Sequence, residues 1–332
     1  MKIDEQILQT DEWGRVKKSF GWEPFRIYFG KNSSCLVLKR KIPLINKCFF
    51  YIPRGPVIDY SDKFLIENFL KAVKALSKEQ NALFVRIDPE IEESEIGNLN
   101  NLKFFGFLKA KKEIQPRSTF IVDLKADLEK IRANFESKFR YNIHVAEKHG
   151  VEIKIDLEEK AIDIFYSLYQ ETCSRQNFII HPKSYYQKVF SNIIKNNMGC
   201  VFTAYFENEP LSSVIIFSLG KRIWYMYGAS SNRHRNLMSN NLLHWEIIKW
   251  AKAKGFEKYD LWGIPSNPNP KHPLWGVYRF KKGFNGRFVR FIGAYDLPFN
   301  KALYKVFDNG IILYQNIVRF IKKGTISDSL SE

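Results

Sequence analysis

Two aspartates and one lysine carry the first chemical signal in this chain. Asp88 closes the apolar run of ALFVRIDPE, and Asp260 closes that of EKYDLWGIP. A helix-like segment precedes each, SDKFLIENFLKAVKALSK in the first case and LMSNNLLHWEIIKWAKAKGF in the second. Downstream come KFFGF, ending at Gly106-Phe107, and FKKGF, ending at Gly283-Phe284. A helix, a short strand with Asp near its end, and a Gly-Phe segment read as a strand occur twice, which predicts a duplicated α/β unit. The copies differ where chemistry would sit. The second has Phe280-Lys281-Lys282 before its Gly-Phe, and the first has Phe104-Phe105. No Ser-His-Asp or Cys-His arrangement emerges, and no Walker or GxGxxG loop. Cys35, Cys48, Cys173 and Cys200 form no CxxC pair and have no zinc spacing, so no metal site is expected.

The basic residues come next. One predicted helix over 127–149 carries Lys130, Arg132, Lys138, Arg140 and Lys148, with Phe139 and Tyr141 interleaved. Basic residues alternating with rings suit a phosphate backbone with exposed bases. A second patch is Arg233-His234-Arg235. With 52 Lys and Arg against 35 Asp and Glu, the net charge is +17, which implies a polyanionic partner. In Trp224-Tyr225-Met226-Tyr227, strand alternation puts Trp224 and Met226 on one face. Tyr225 and Tyr227 fall on the other, and one of the two faces could line a cleft.

The elements that position these groups are legible in outline. The 332 residues suit two domains. Strands are expected at 24–29, 34–40 and 48–52, then a helix over 61–78 with Ser61 as N-cap. An acidic polar loop is expected over 90–101. The strand of IQPRSTFIVDL opens a new domain. After the 127–149 helix, closed by Gly150, come helices at 158–176 and 183–195. A three-strand meander follows, with turns at Glu207-Asn208 and Gly220-Lys221, then a helix at 239–254 and a strand at 257–262. This is the order of an N-acetyltransferase-like (GNAT-like) unit, read twice, in an α/β (α+β) chain. The expected division is 1–117 plus 293–332 against 118–292. The segment NGIILYQNIVRFIKKG reads as an amphipathic helix packed on the protein. The stretch before the 239–254 helix, RHRNLMSNN, lacks the glycines with which this fold usually cradles coenzyme A, so no CoA is expected. The charged N-terminus and the lack of a long apolar run predict a cytoplasmic protein with reduced thiols.

Taken in order, several segments resemble the Fem-type aminoacyltransferases that build peptidoglycan cross-bridges. They are WGRVK, YIPRGPVID, VRIDPE, IQPRSTFIVDL, KFRYNIHVAEKHGVEI, KRIWYMYGAS, HWEIIKWAKAKGFEKYDLWGIP and GVYRFKKGF. The resemblance covers nearly the whole chain and is to the smaller type without a helical arm. It implies two GNAT-like domains facing a cleft, the first binding the precursor and the second serving acyl transfer. It also implies transfer of Gly, Ala or Ser from aminoacyl-tRNA to the side-chain amine of the third stem-peptide residue of a peptidoglycan precursor. That precursor is either lipid-linked or the soluble nucleotide-sugar form.

By the same resemblance, Lys17 matches a lysine that contacts precursor phosphate, and Asp88 an acidic residue near the acceptor peptide. Phe280 and Lys281 match the pair beside the transfer centre, with Lys281 the natural cation for a developing oxyanion. Tyr185 matches an aromatic that helps hold the precursor. His181 falls where the pattern has arginine, which puts the second phosphate contact in doubt and leaves Lys183 or Arg175 as substitutes. Lys138, Arg140, Lys148, Arg233 and Arg235 would serve the tRNA, and Tyr227 the substrate. Asp88, taken as an exposed group, would orient the amine or accept its proton. Peripheral contact with the inner membrane face is expected, and DNA is not. The competing readings are a catalytically silent RNA- or precursor-binding protein, and a tRNA-dependent transferase with another acceptor.

Overall fold

The structure is a computed structural model and describes residues 5–30, 33–42, 45–176 and 178–308. The chain divides into two compact units, one built from 1–115 and 291–332, the other from 116–290. The expected C-terminal helix over 309–324 lies outside the described residues.

The first unit begins with α1 (Asp11–Lys18), whose N-cap Thr10 accepts a hydrogen bond from the Trp13 N–H. Then come β1 (Glu23–Tyr28), β2 (Ser34–Lys41) and β3 (Cys48–Ile52). Helix α2 (Lys63–Gln80) starts one residue later than expected. Asp62, not Ser61, accepts from Leu65 N at 3.0 Å, because a carboxylate outcompetes a hydroxyl for the first-turn donors. Ile66, Phe69, Leu70 and Val73 form its buried stripe. Strand β4 (Ala82–Ile87) follows and leads to Asp88. The acidic stretch expected as a loop is partly helical, as α3 (Ile96–Phe104), anchored by buried Leu102. A short strand, β5 (Leu108–Lys109), ends this portion.

The second unit opens with β6 (Ser118–Asp123). The single long basic helix expected next is two helices, α4 (Leu128–Asn134) and α5 (Ser137–Lys148). Phe135 is extended at the break (ψ 152°) and turns into the core, with ring contacts to Phe139, Trp245 and Phe284. Arg140 donates to the carbonyls of Ala133 and Phe135 that the break leaves open. Strand β7 (Glu152–Asp156), α6 (Lys160–Gln176) and α7 (Lys183–Asn192) precede the meander of β8 (Gly199–Phe206), β9 (Glu209–Leu219) and β10 (Arg222–Ser230). Then come α8 (Ser239–Ala253), β11 (Lys258–Asp260), α9 (Trp275–Lys282) and β12 (Arg287–Arg290). The FKKGF segment read as a strand is therefore the end of α9 and the turn after it. Gly283 is required there, since a Cβ would lie 2.6 Å from the Phe139 ring.

The last strand, β13 (Tyr295–Pro298), belongs to the first unit. The sheet orders are β1-β2-β3-β4-β13-β5 and β7-β8-β9-β10-β11-β6-β12. In each, one parallel pair bridged by a helix (β3 and β4 by α2, β10 and β11 by α8) sits among antiparallel neighbours. The inserted strand beside the Asp-bearing strand follows the edge strand of the other copy in sequence: β6 follows β5, and β13 follows β12. Both units are thus GNAT-like, with one strand exchanged each way. Arg86 on β4 fixes β13 through a two-point pair with buried Asp296, at 2.7 and 2.6 Å.

Strand β10 departs from simple alternation. A register shift between Tyr225 and Tyr227 marks a bulge at Met226. Tyr225 therefore packs toward α8 and Tyr227 toward α6 and α7, rather than on a common face.

Candidate functional site

In the second unit, the last turn of α9 carries Lys281 inward, with only 7% of its surface exposed. Its Nζ donates to the Gly263 carbonyl at 2.9 Å and lies 4.9 Å from the centre of the Tyr225 ring. Burial lowers its pKa to about 7, against the opposing pull of Asp260. Tyr225 can lie there because Gly228 has no side chain, as a Cβ would fall on its hydroxyl. Under Tyr225 sits fully buried His244, ring centres 4.5 Å apart, with Nδ1 2.7 Å from the Tyr259 hydroxyl. Burial, and then the charge on Lys281, lower its pKa to about 3, so His244 is neutral. Phe280 walls the cluster against His244, Phe139 and Phe284. Asp260 accepts from Thr119 Oγ1 at 2.5 Å and Trp262 N at 2.8 Å and is ion-paired with buried Arg222. Tyr225, His244 and Arg222 were not singled out from sequence. A histidine within the apolar stretch LLHW was the available signal.

On the opposite face of this sheet, Tyr185, His181 and Tyr227 do come together. The Tyr185 and Tyr227 hydroxyls are 3.4 Å apart. His181 stacks on Tyr185 at 4.0 Å. Tyr185 is buried, so its ring face is covered by His181 rather than offered to a ligand. Burial raises its hydroxyl to about 12. Lys183 pairs with Asp163, and Arg175 is bonded to Ser230 and Asn232.

The expected polyanion-binding residues separate into two groups. Lys138, Lys148 and Arg235 are exposed, as is Tyr141. Arg233 is held by Glu209 at 2.7 Å, Arg140 is used by backbone carbonyls, and Phe139 is core rather than a stacking ring.

In the first unit, Asp88 is 1% exposed, not the exposed group expected, because β4 delivers it beneath the 53–56 loop. Its Oδ2 accepts from the Tyr51 hydroxyl at 2.7 Å and its Oδ1 from Arg54 N at 2.6 Å. Burial raises its pKa to about 6, with the Arg54 charge acting the other way. Gln115 Nε2 donates to the Tyr51 hydroxyl at 3.1 Å. Lys17, in the last turn of α1, lies 5.1 Å from the Trp13 ring centre. Burial and the nearby Arg40 bring it down to about 8. Among the described residues, no group of three or more His, Cys, Asp or Glu gathers to hold a metal.

Comparison with known proteins places this arrangement. A model described as the FemAB family matches residues 2–103, 98–198 and 196–309. The chain belongs to the FemAB family. A lipid II:glycine glycyltransferase of Staphylococcus saprophyticus is 26% identical over 377 aligned positions, covering 91% of this chain and 90% of that protein. The Staphylococcus aureus protein of the same name is 23% identical, with coverage of 91% and 90%. The crystal structure of FemX superposes with a TM-score of 0.86 at 23% identity, covering 92% of this chain and 95% of that one. L-PGS from Bacillus licheniformis shares the fold with a TM-score of 0.55 at 14% identity, covering 89% and 88%. The FemAB chain described here is an acyltransferase with two GNAT-like units.

Proposed function

We propose that this FemAB chain transfers an amino acid from aminoacyl-tRNA to the side-chain amine of the third stem-peptide residue of a peptidoglycan precursor. The observation that carries the reading is the buried Lys281 amine, held on Tyr225 and Gly263 in a FemAB fold whose curated relatives are named for glycyl transfer to lipid II. The acceptor amine attacks the ester carbonyl. A C–N bond forms, the C–O bond to the tRNA ribose breaks, and the amine proton ends on the departing ribose oxygen. A lysine near pKa 7 can take that proton as the amine attacks. It then stands as a cation beside the oxyanion and returns the proton to the leaving oxygen.

Asp88, shielded and doubly hydrogen-bonded, holds the 53–56 loop and the Tyr51 hydroxyl in place, and Lys17 takes precursor phosphate. The RHRNLMSNN loop supports tRNA rather than CoA as acyl carrier. His234 and Met238 are its left-handed residues, and both carry side chains where a pyrophosphate cradle needs bare backbone. Most of the positive surplus lies in this second unit, as a tRNA-binding side requires. Among the described residues, no helix is long and apolar enough to cross a membrane, which suits work at the cytoplasmic face with peripheral contact.

The test is discharge of a labelled aminoacyl-tRNA pool in the presence of nucleotide-linked or lipid-linked pentapeptide. Label on either peptide supports the reading and identifies the amino acid. Discharge to neither, with tRNA bound, removes it in favour of a binding protein.

A further inference from the structure

The first unit carries a second cation beside Lys17. Arg40, at the end of β2, lays its guanidinium 5.0 Å from the centre of the Trp22 ring. Trp22 belongs to the turn that leaves α1, and its N–H donates to the Lys17 carbonyl at 3.3 Å. The same indole packs edge-on against Phe49 at 5.7 Å and against Tyr51 at 6.0 Å. Phe49 is the strand partner of Arg40, and Tyr51 is the residue that donates to Asp88. One aromatic floor therefore runs from the two cations to the Asp88 carboxylate, all within one unit.

The two cations are not balanced by the usual carboxylates. The neighbouring Lys39 takes Glu23, at 2.9 Å. Among the described residues, Arg40 forms no ion pair, and its only named partner is the indole. The Arg40 charge is one of the two causes that lower Lys17, so the pair repel each other where the ammonium is already desolvated. An anion between them reverses both costs. A guanidinium held flat on an indole presents its fork outward, the geometry that takes a phosphate through two hydrogen bonds.

We propose that Arg40 is the second phosphate ligand of the first unit, gripping with Lys17 the diphosphate of the acceptor and supplying the contact that the His181 position does not. This rests on the transfer reading for the identity of the acceptor, but the diphosphate contact itself does not. Trp22 is the positioning residue that aims Arg40.

The experiment is calorimetric titration of the full chain with uridine diphosphate, alongside the discharge assay with nucleotide-linked and lipid-linked acceptors. Arg40→Ala should weaken diphosphate binding about tenfold, as loss of one charge-assisted contact does. Arg40→Lys should restore only part of it, since lysine keeps the charge without the fork. A raised KM for both acceptors assigns Arg40 to the shared diphosphate. A raised KM for one alone assigns it to that acceptor's geometry. Unchanged diphosphate binding and unchanged KM in Arg40→Ala, with transfer intact, overturn the proposal and leave the transfer reading standing. A wild-type chain that binds uridine diphosphate through Arg40 but discharges no tRNA overturns the transfer reading and leaves Arg40 in place. Arg40 is exposed, and a matching melting temperature for Arg40→Gln guards against misfolding.

Discussion

The two units place the same pieces at matching points and use them differently. Each has an aspartate after the strand that pairs in parallel, then a helix ending in Gly-Phe, then an edge strand. Asp88 holds backbone and a tyrosine, whereas Asp260 holds a guanidinium. Counting back from Gly106 and Gly283, Phe104 occupies the position of Lys281. Phe104 is 74% exposed under the ammonium of Lys63, and Lys281 is 7% exposed over Tyr225. The cation and the ring have exchanged roles. An exposed phenylalanine does no acid–base work, while a buried amine near pKa 7 is costly to keep and suited to proton transfer. The difference locates the transfer chemistry in the second unit and leaves the first for binding.

The largest effect should come from the aspartates. Asp260→Ala removes the carboxylate from the buried Arg222 guanidinium and should cost about 3–5 kcal/mol of stability, the scale for breaking a buried ion pair. Asp88→Ala removes no buried ion pair, only two hydrogen bonds, and should cost about 1–3 kcal/mol. Urea unfolding of both variants checks the ranking, and equal losses would erase the distinction drawn between the copies.

At the next matched pair, Lys281→Ala should lower kcat about 100- to 1000-fold, the range for losing one group that acts in the transition state. Acceptor affinity should hardly move. Phe104→Ala should leave kcat unchanged. Lys281→Arg sharpens the point, because a guanidinium keeps its charge but does not release its proton near neutral pH. Single-turnover transfer should stay slow in Lys281→Arg if the amine carries the proton, and recover if only charge is needed.

How far the sequence could be read follows from which forces act locally. The duplication was legible because Asp, Gly and Phe recur at fixed places. Position 281 was singled out because a lysine stands where the other copy has a ring. Its helical setting was not legible. WGVYRFKK turns a lysine toward the protein, which breaks the apolar period that marks a buried helix face. The break at Phe135 is equally silent, since no proline or glycine marks it. Packing of that ring, together with Arg140 taking the open carbonyls, makes it. The bulge at Met226 moved Tyr225 across the sheet, and period-2 reasoning carries no term for an extra residue. Asp88 looked like an exposed carboxylate because its cover comes from the distant 53–56 loop.

The smallest effect separates the copies by pH. Asp88 titrates near 6 in the folded chain and near its usual 3.8 unfolded. The folded state therefore binds more protons between those values, and stability is lost as pH rises from about 4 to about 6. Lys281 titrates near 7 folded and 10.5 unfolded. Here the unfolded state binds more protons, and stability is gained as pH rises from about 7 toward 10.5. Each slope should amount to no more than about 1–3 kcal/mol over its window, since a shift of one unit is worth about 1.4 kcal/mol. Urea unfolding as a function of pH should lose the acid-side slope in Asp88→Asn and the alkaline slope in Lys281→Met, each leaving the other in place. If one substitution flattened both, the two groups would be coupled, and the assignment of separate tasks to the two units would fail.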